Sequence, residues 1–208
     1  MNIGFMGGTF SPPHKGHLHS ASVFIEEMKL DRLIIIPAKV SPFKVNTKET
    51  ACETDRLNMA RLCFLPLDSD KCHVEVSEIE TKKDSTSYTI ETIQSLEEKY
   101  PDDKLFMFVG SDMFLSLEKW KSFEEIFKKC HIYTRCRLEN ETDIMLTAME
   151  DYRKKYGAVI TLSSDREVIV SSTAVREALC TKNIKSCENL LTEDVLGYII
   201  KGGLYFEE

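Results

Sequence analysis

The residues best suited to chemistry stand near the start of the chain, in Gly7-Gly8-Thr9-Phe10-Ser11-Pro12-Pro13-His14-Lys15-Gly16-His17-Leu18. The short apolar run at residues 2–6 predicts a strand. Beyond it, Ala21, Phe24, Ile25 and Met28 recur on one face of a helix. Between the two lies a glycine-rich turn: Gly7 and Gly8 let the backbone approach a ligand closely, and the amides that open the helix form a partly positive anion site. His14 and His17 bring two imidazoles to that site. Cations are disfavoured in a helix's first turn, so Lys15 and a chargeable His17 there are expected to face a polyphosphate.

A second cluster, Val170-Ser171-Ser172-Thr173-Ala174-Val175-Arg176, lies toward the other end. Ser171 or Ser172 suits a helix N-cap, and an arginine one turn later is unfavourable there unless an anion reverses the sign. Capping and phosphate binding use the same terminus. A third group, Gly110-Ser111-Asp112, follows an apolar run at residues 105–109 and so falls at a strand's carboxyl end. The chain contains neither G-x-x-x-x-G-K-[ST] nor G-x-G-x-x-G, which weighs against a P-loop ATPase and a dinucleotide oxidoreductase.

To hold these residues the chain alternates two kinds of segment. Strands are predicted at residues 2–6, 33–36, 73–76, 105–109, 131–133 and 158–162, and helices at 16–28, 54–64, 88–100, 123–128 and 142–156. The β-then-α repeat implies right-handed crossovers: an α/β fold with a doubly wound parallel sheet and helices on both faces, whose ligands bind at the strands' carboxyl ends. After residue 172 come short helices at 173–179, 187–191 and 193–201. No Pro- or Ser-rich linker sets them apart, so residues 1–208 are expected to form one domain with a C-terminal helical appendage from about 172.

Bulk properties narrow the function. The chain has 208 residues, 42% hydrophobic and 29% charged, with a formal net charge of -7. That charge argues against non-specific nucleic-acid binding, so any phosphate site must be locally basic. No apolar run approaches the roughly 20 residues of a membrane span, and Met1 leads into the first strand without a signal-peptide core, so a cytoplasmic location is expected. Seven cysteines without a C-x-x-C pair indicate reduced thiols rather than a disulfide framework or a zinc site.

Gly8-Thr9-Phe10 followed by His14-Lys15-Gly16-His17 resembles the signature of the HxGH nucleotidyltransferases, and Ser171-Ser172-Thr173-Ala174-Val175-Arg176 resembles their second phosphate motif. The resemblance implies a Rossmann-like fold and attack by an acceptor phosphate on the α-phosphorus of a nucleoside triphosphate, expelling pyrophosphate. It implies that His17 and His14 are catalytic. Gly8, Thr9, Phe10, His14, His17, Gly110, Asp112, Ser172, Thr173 and Arg176 would bind ATP, with Mg²⁺ carried by the triphosphate and no metal resident in the protein. An acceptor phosphate is already ionised near neutral pH, so catalysis reduces to positioning and charge neutralisation.

Glu78-Ile79-Glu80, Ser87-Tyr88-Thr89, Phe108-Val109-Gly110-Ser111-Asp112 and Leu117-Glu118-Lys119-Trp120 resemble the nicotinate-nucleotide adenylyltransferase branch, as does the tail around Gly203-Leu204-Tyr205. By that resemblance Lys44, Ser87, Tyr88, Thr89 and Trp120 hold the acceptor. Trp120, the one tryptophan, suits stacking on a pyridine, while its composition equally suits a core position. Four positions depart from the branch: Ser11 for the common aspartate, Phe43 for histidine, Lys121 for a frequent aromatic and Cys136 for proline. The expected partners are ATP and nicotinate mononucleotide, with no nucleic acid and no membrane. Whether the protein forms a homo-oligomer is open. Two other functions fit the same motifs: a sister transferase acting on nicotinamide mononucleotide or another phosphorylated acceptor, and a non-catalytic nucleotide-binding regulatory module.

Overall fold

The computed structural model describes residues 1–39, 51–82, 88–165, 168 and 170–206. Six strands form one sheet in the order β3-β2-β1-β4-β5-β6: β1 (Asn2–Gly8), β2 (Arg32–Pro37), β3 (His73–Val76), β4 (Lys104–Gly110), β5 (Cys130–Arg135) and β6 (Ile160–Leu162). Every neighbouring pair is parallel. The chain builds outward from β1 in one direction and then returns to build from β4 in the other. The β1–β4 seam is therefore a topological switch point, where α/β sheets bind ligands.

Strand residues alternate between two faces, as the period of two requires. Met6, Leu33, Ile35, Phe106, Phe108 and Tyr133 pack with α1 (Lys15–Met28) and α2 (Glu53–Phe64). Ile3, Phe5, Ile34, Ile36, Leu105, Met107 and Ile132 pack on the opposite face, under α3 (Thr89–Lys99), α5 (Phe123–Lys129) and α6 (Thr142–Tyr156). Between β4 and α5 lie a single helical turn, α4 (Ser111–Phe114), and a 3₁₀ turn (Leu117–Lys119) that the sequence periodicity did not predict. Both are too short to carry a repeat.

The C-terminal helices α7 (Ser172–Cys180), α8 (Ile184–Leu190) and α9 (Glu193–Gly202) contribute Val175, Leu179, Cys187, Val195 and Ile199 to the same cluster as Phe24 and Phe64. They complete the core on the α1/α2 face. Two predicted boundaries shift for local reasons. Helix α8 begins at Ile184 because Asn183 caps it, its side chain accepting from the Ser186 amide. Strand β6 begins only at Ile160, since Gly157 closes α6 in the left-handed region at φ 67° and the Ala158 amide still bonds back to Tyr152. No helix among the described residues is long and apolar enough to cross a membrane.

Candidate active site

A cavity of about 460 Å³ opens at the carboxyl ends of β1 and β4. Its floor is Gly7, Gly8, Thr9 and Gly110, one end carries His14 and His17, and the other carries Tyr88, Thr89, Trp120 and Lys121. Among the described residues three basic side chains, Lys119, Lys121 and Arg137, line it beside two acidic ones, Glu80 and Asp112. The cavity is thus slightly basic in a chain of net charge -7.

At the first end, His14 is the N-cap of α1 and His17 its third residue, and the two close a reciprocal capping box. The His17 amide donates to His14 Nδ1 at 3.2 Å, and the His14 amide donates to His17 Nδ1 at 3.2 Å. The rings stack at 3.6 Å between centroids, and Phe10 meets the His17 ring edge-on. An Nδ1 that accepts must hold a lone pair, so each neutral ring carries its proton on Nε2, a hydrogen-bond donor. Burial, reinforced by the Arg137 charge, lowers the His14 pKa to about 4. His14 is neutral at physiological pH.

The loop that presents these rings is braced from several sides. Phe10 adopts φ 50° and buries its ring, which would lie only 2.9 Å from a Cβ on Gly8. Gly8 therefore has a packing reason to be glycine besides ligand approach. A Cβ on Gly16 would likewise meet the Val168 carbonyl at 2.8 Å. Arg56 of α2, 2% exposed, donates to the Thr9 carbonyl at 2.9 Å and the Ala38 carbonyl at 2.6 Å. It ties the segment after β1 to the segment after β2. Ser11 Oγ accepts from the Ala51 amide at 3.0 Å and pairs with the Tyr205 hydroxyl at 2.8 Å.

The first turn of α7 docks on this loop. Ser171 is the N-cap, accepting from the Ala174 amide, so the capping expectation resolves to the first serine. Ser172 Oγ donates to the Pro12 carbonyl at 2.9 Å across 160 positions of sequence. The Arg176 guanidinium donates to the Ser11 carbonyl at 2.9 Å and to Thr173 Oγ1 at 3.2 Å. The loop before α1 and the first turn of α7 are thereby joined by direct contacts.

At the acceptor end, Trp120 is only partly buried and packs beside the α3/α5 core. The Lys121 ammonium lies 4.1 Å from the centroid of the Tyr88 ring and 3.0 Å from Glu91 Oε1. Beneath them Thr92 Oγ1 donates to the buried Glu80 carboxylate at 2.7 Å. Arg137 approaches Asp112 at 3.6 Å.

Of the residues singled out by sequence, Gly8, Thr9, His14, His17, Gly110, Asp112, Tyr88, Thr89 and Trp120 share the cavity wall. Phe10 is in the core behind the wall, and Ser172, Thr173 and Arg176, exposed or half-buried, stand beside the loop before α1, where Ser172 and Arg176 bond the Pro12 and Ser11 carbonyls. Lys44, Ser87 and Phe43 lie outside the described residues. Lys15 departs from expectation: its ammonium donates to the Glu188 carbonyl at 2.8 Å, so the end of α8 explains this first-turn cation and a polyphosphate is not needed to do so. Cys136 is buried, 7% exposed, in the second core cluster. Sequence reading missed Arg56 and Arg137, and named Glu80 only within a family motif, with no role. A buried arginine inside a helical pattern leaves no local signal, because its partners are backbone carbonyls far away in sequence.

A family model described as cytidylyltransferase-like matches residues 5–178, a span that includes the loop at residues 8–17 and the turn at residues 171–176. Fold and site together define the class, a nucleotidyltransferase of that kind. A protein of Lachnoclostridium phytofermentans named as a probable nicotinate-nucleotide adenylyltransferase is 34% identical over 203 residues, covering 98% of each chain. One of the same name from Gemmatimonas aurantiaca is 31% identical over 209 residues, covering 100% of this chain and 93% of its own. The chain belongs to the nicotinate-nucleotide adenylyltransferase family. The solved structure of Plasmodium falciparum nicotinic acid mononucleotide adenylyltransferase complexed with NaAD is similar in fold, with a TM-score of 0.78 at 19% identity, covering 98% of this chain and 97% of its own.

Proposed function

We propose that this enzyme transfers AMP from ATP to nicotinate mononucleotide, giving nicotinate adenine dinucleotide and pyrophosphate. The observation that carries this reading is the single cavity with the paired imidazoles at one end and the Trp120 wall at the other. In the reaction an acceptor phosphate oxygen bonds to the α-phosphorus, the bond from that phosphorus to the bridging oxygen breaks, and pyrophosphate leaves with the electron pair. The acceptor phosphate is already largely ionised at pH 7, so no general base is required.

His17 donates from Nε2 to the α-phosphate as charge develops, and the neutral His14 holds its neighbour and offers a second Nε2 donor. Ser172, Thr173 and Arg176 take the outer phosphates at the α7 N-terminus, while Gly8 and Thr9 offer backbone amides. Asp112, an acceptor-only carboxylate beside Gly110, suits the hydroxyls of ATP's ribose. Among the described residues no group of three His, Cys, Asp or Glu side chains could hold a metal, and in this reading Mg²⁺ enters coordinated by the triphosphate. The pyridine stacks on Trp120, with amides near Thr89 serving its carboxylate; the family resemblance assigns Lys44 and Ser87 to the acceptor as well. The cytoplasm is the compartment proposed for this enzyme, whose seven cysteines include no C-x-x-C pair.

The test is pyrophosphate release by the purified protein with Mg-ATP and a panel of phosphorylated acceptors. Release is expected with nicotinate mononucleotide and to be much weaker with phosphopantetheine. Release with phosphopantetheine alone assigns a sister activity. None with any acceptor assigns a regulatory module.

A further inference from the structure

We infer that Lys121 sets the preference for an acid over an amide on the acceptor's pyridine ring, its ammonium supplying charge to the ring carboxylate; this rests on the function proposed above. Trp120 leaves the 3₁₀ turn in extended conformation, at φ -80° and ψ 148°, and both it and Lys121 line the cavity. A ring lying on the indole shares the cavity with the lysine, whose ammonium lies over Tyr88.

The ammonium is also fixed in place. It sits over the Tyr88 ring at 4.1 Å, and Glu91 Oε1 holds it at 3.0 Å. Tyr88 is the N-cap residue of α3, and Glu91 lies in that helix's first turn. The cation is thus anchored beside the α3 N-terminus, to whose amides the proposed function assigns the acceptor carboxylate. An ammonium has three N–H donors. Glu91 takes one and the Tyr88 face engages the cation more diffusely, which leaves capacity for a ligand oxygen.

The contribution is differential. A neutral carboxamide gains little from a nearby cation, whereas a carboxylate gains a charge-assisted contact. Lys121 is 52% exposed, so solvent and salt screen it and the effect is moderate. Glu91 orients the ammonium and also competes for it, so removing the Glu91 charge does not weaken recognition of the acid.

The experiment compares kcat/KM for nicotinate and nicotinamide mononucleotides, with Mg-ATP, in the wild type and in K121M, K121R, E91Q and K119M, with thermal midpoints measured beside them. K121M is expected to lower the acid-to-amide ratio about tenfold, through KM for the acid, with the midpoint nearly unmoved. K121R should restore most of the ratio, and E91Q should hold or raise it. A purely bridging role for Lys121 predicts otherwise: E91Q would match K121M and both acceptors would suffer alike. That result, or a ratio that falls in K119M and not in K121M, overturns the inference while wild-type turnover leaves the proposed function standing. Absence of wild-type turnover with either pyridine nucleotide overturns the proposed function and the inference with it.

Discussion

The two ends of the cavity are built on different principles. The histidine end is held by buried and half-buried groups acting on main chain: Arg56 on the Thr9 and Ala38 carbonyls, Arg176 on the Ser11 carbonyl, Ser172 on the Pro12 carbonyl, and the two imidazoles on each other's amides. The acceptor end is held by side chains on side chains, with Lys121 over Tyr88 and against Glu91 at positions half open to solvent. A site braced through its backbone tolerates little displacement, and that suits stabilising charge that appears only in the transition state. A wall of partly exposed side chains is easier to retune. It suits a surface that selects one acceptor among several.

Substitutions at each end can break this comparison. The largest expected effect is on turnover. His17→Ala should lower kcat by roughly 10²- to 10³-fold with ATP affinity little changed, as removal of one transition-state donor does. Rapid-quench kinetics beside ATP titration measures both, and normal turnover with poor ATP binding would reassign His17 to the ground state.

The His14 environment should appear as pH-dependent stability. Its folded pKa of about 4 lies below the unfolded value near 6.5, so between those values the unfolded chain binds the extra proton. The stability contributed by this depressed pKa is fully present above pH 6.5 and is lost as pH falls toward 4. Relative to His14→Asn, which keeps an N-cap, the wild type should lose about 3 kcal/mol between pH 7 and pH 4. Urea midpoints at the two pH values check it, and parallel losses in both proteins would place His14 in an ordinary solvated setting.

Arg176→Ala should weaken ATP binding by about ten- to a hundredfold while changing KM for the acceptor less, since a charge-assisted pair contributes on the order of 1.5 to 3 kcal/mol. Calorimetry decides. Unchanged ATP affinity would leave Arg176 as a strap between α7 and the Ser11 carbonyl.

At the acceptor end, Trp120→Ala should raise KM for the pyridine nucleotide by roughly ten- to a hundredfold, because stacking of a ring on an aromatic face contributes about 1 to 3 kcal/mol. A core role predicts instead a loss of about 3 to 5 kcal/mol of stability and equal harm to both substrates. Melting curves measured beside the two KM values separate the outcomes.

The same contrast explains what was legible in the sequence. Strand and helix periods are local, so the α/β alternation and the parallel sheet could be read from residues such as Leu33 to Ile36 or Ala21 and Phe24. The histidine pair was legible because glycine turn, histidines and helix start are contiguous. Its internal chemistry was not, since nothing in the spacing says that each imidazole caps the other's amide or that burial keeps His14 neutral. Lys15 misled because its partner, the Glu188 carbonyl, is 173 positions away. Arg56 was invisible for the same reason. Lys121 stood out as a departure from the family pattern, but only the fold shows that it lies over Tyr88 and against Glu91.

The proposed reaction moves the α-phosphorus of ATP, as AMP, to a pyridine mononucleotide within this cavity. Its most direct test uses ATP labelled at the α-phosphorus, with nicotinate mononucleotide and Mg²⁺, followed by separation of the products. The label should appear in a dinucleotide at the rate at which pyrophosphate is released, and both should fall together in His17→Ala. Label that stays in ATP, or that appears in free AMP without a dinucleotide, would contradict the account.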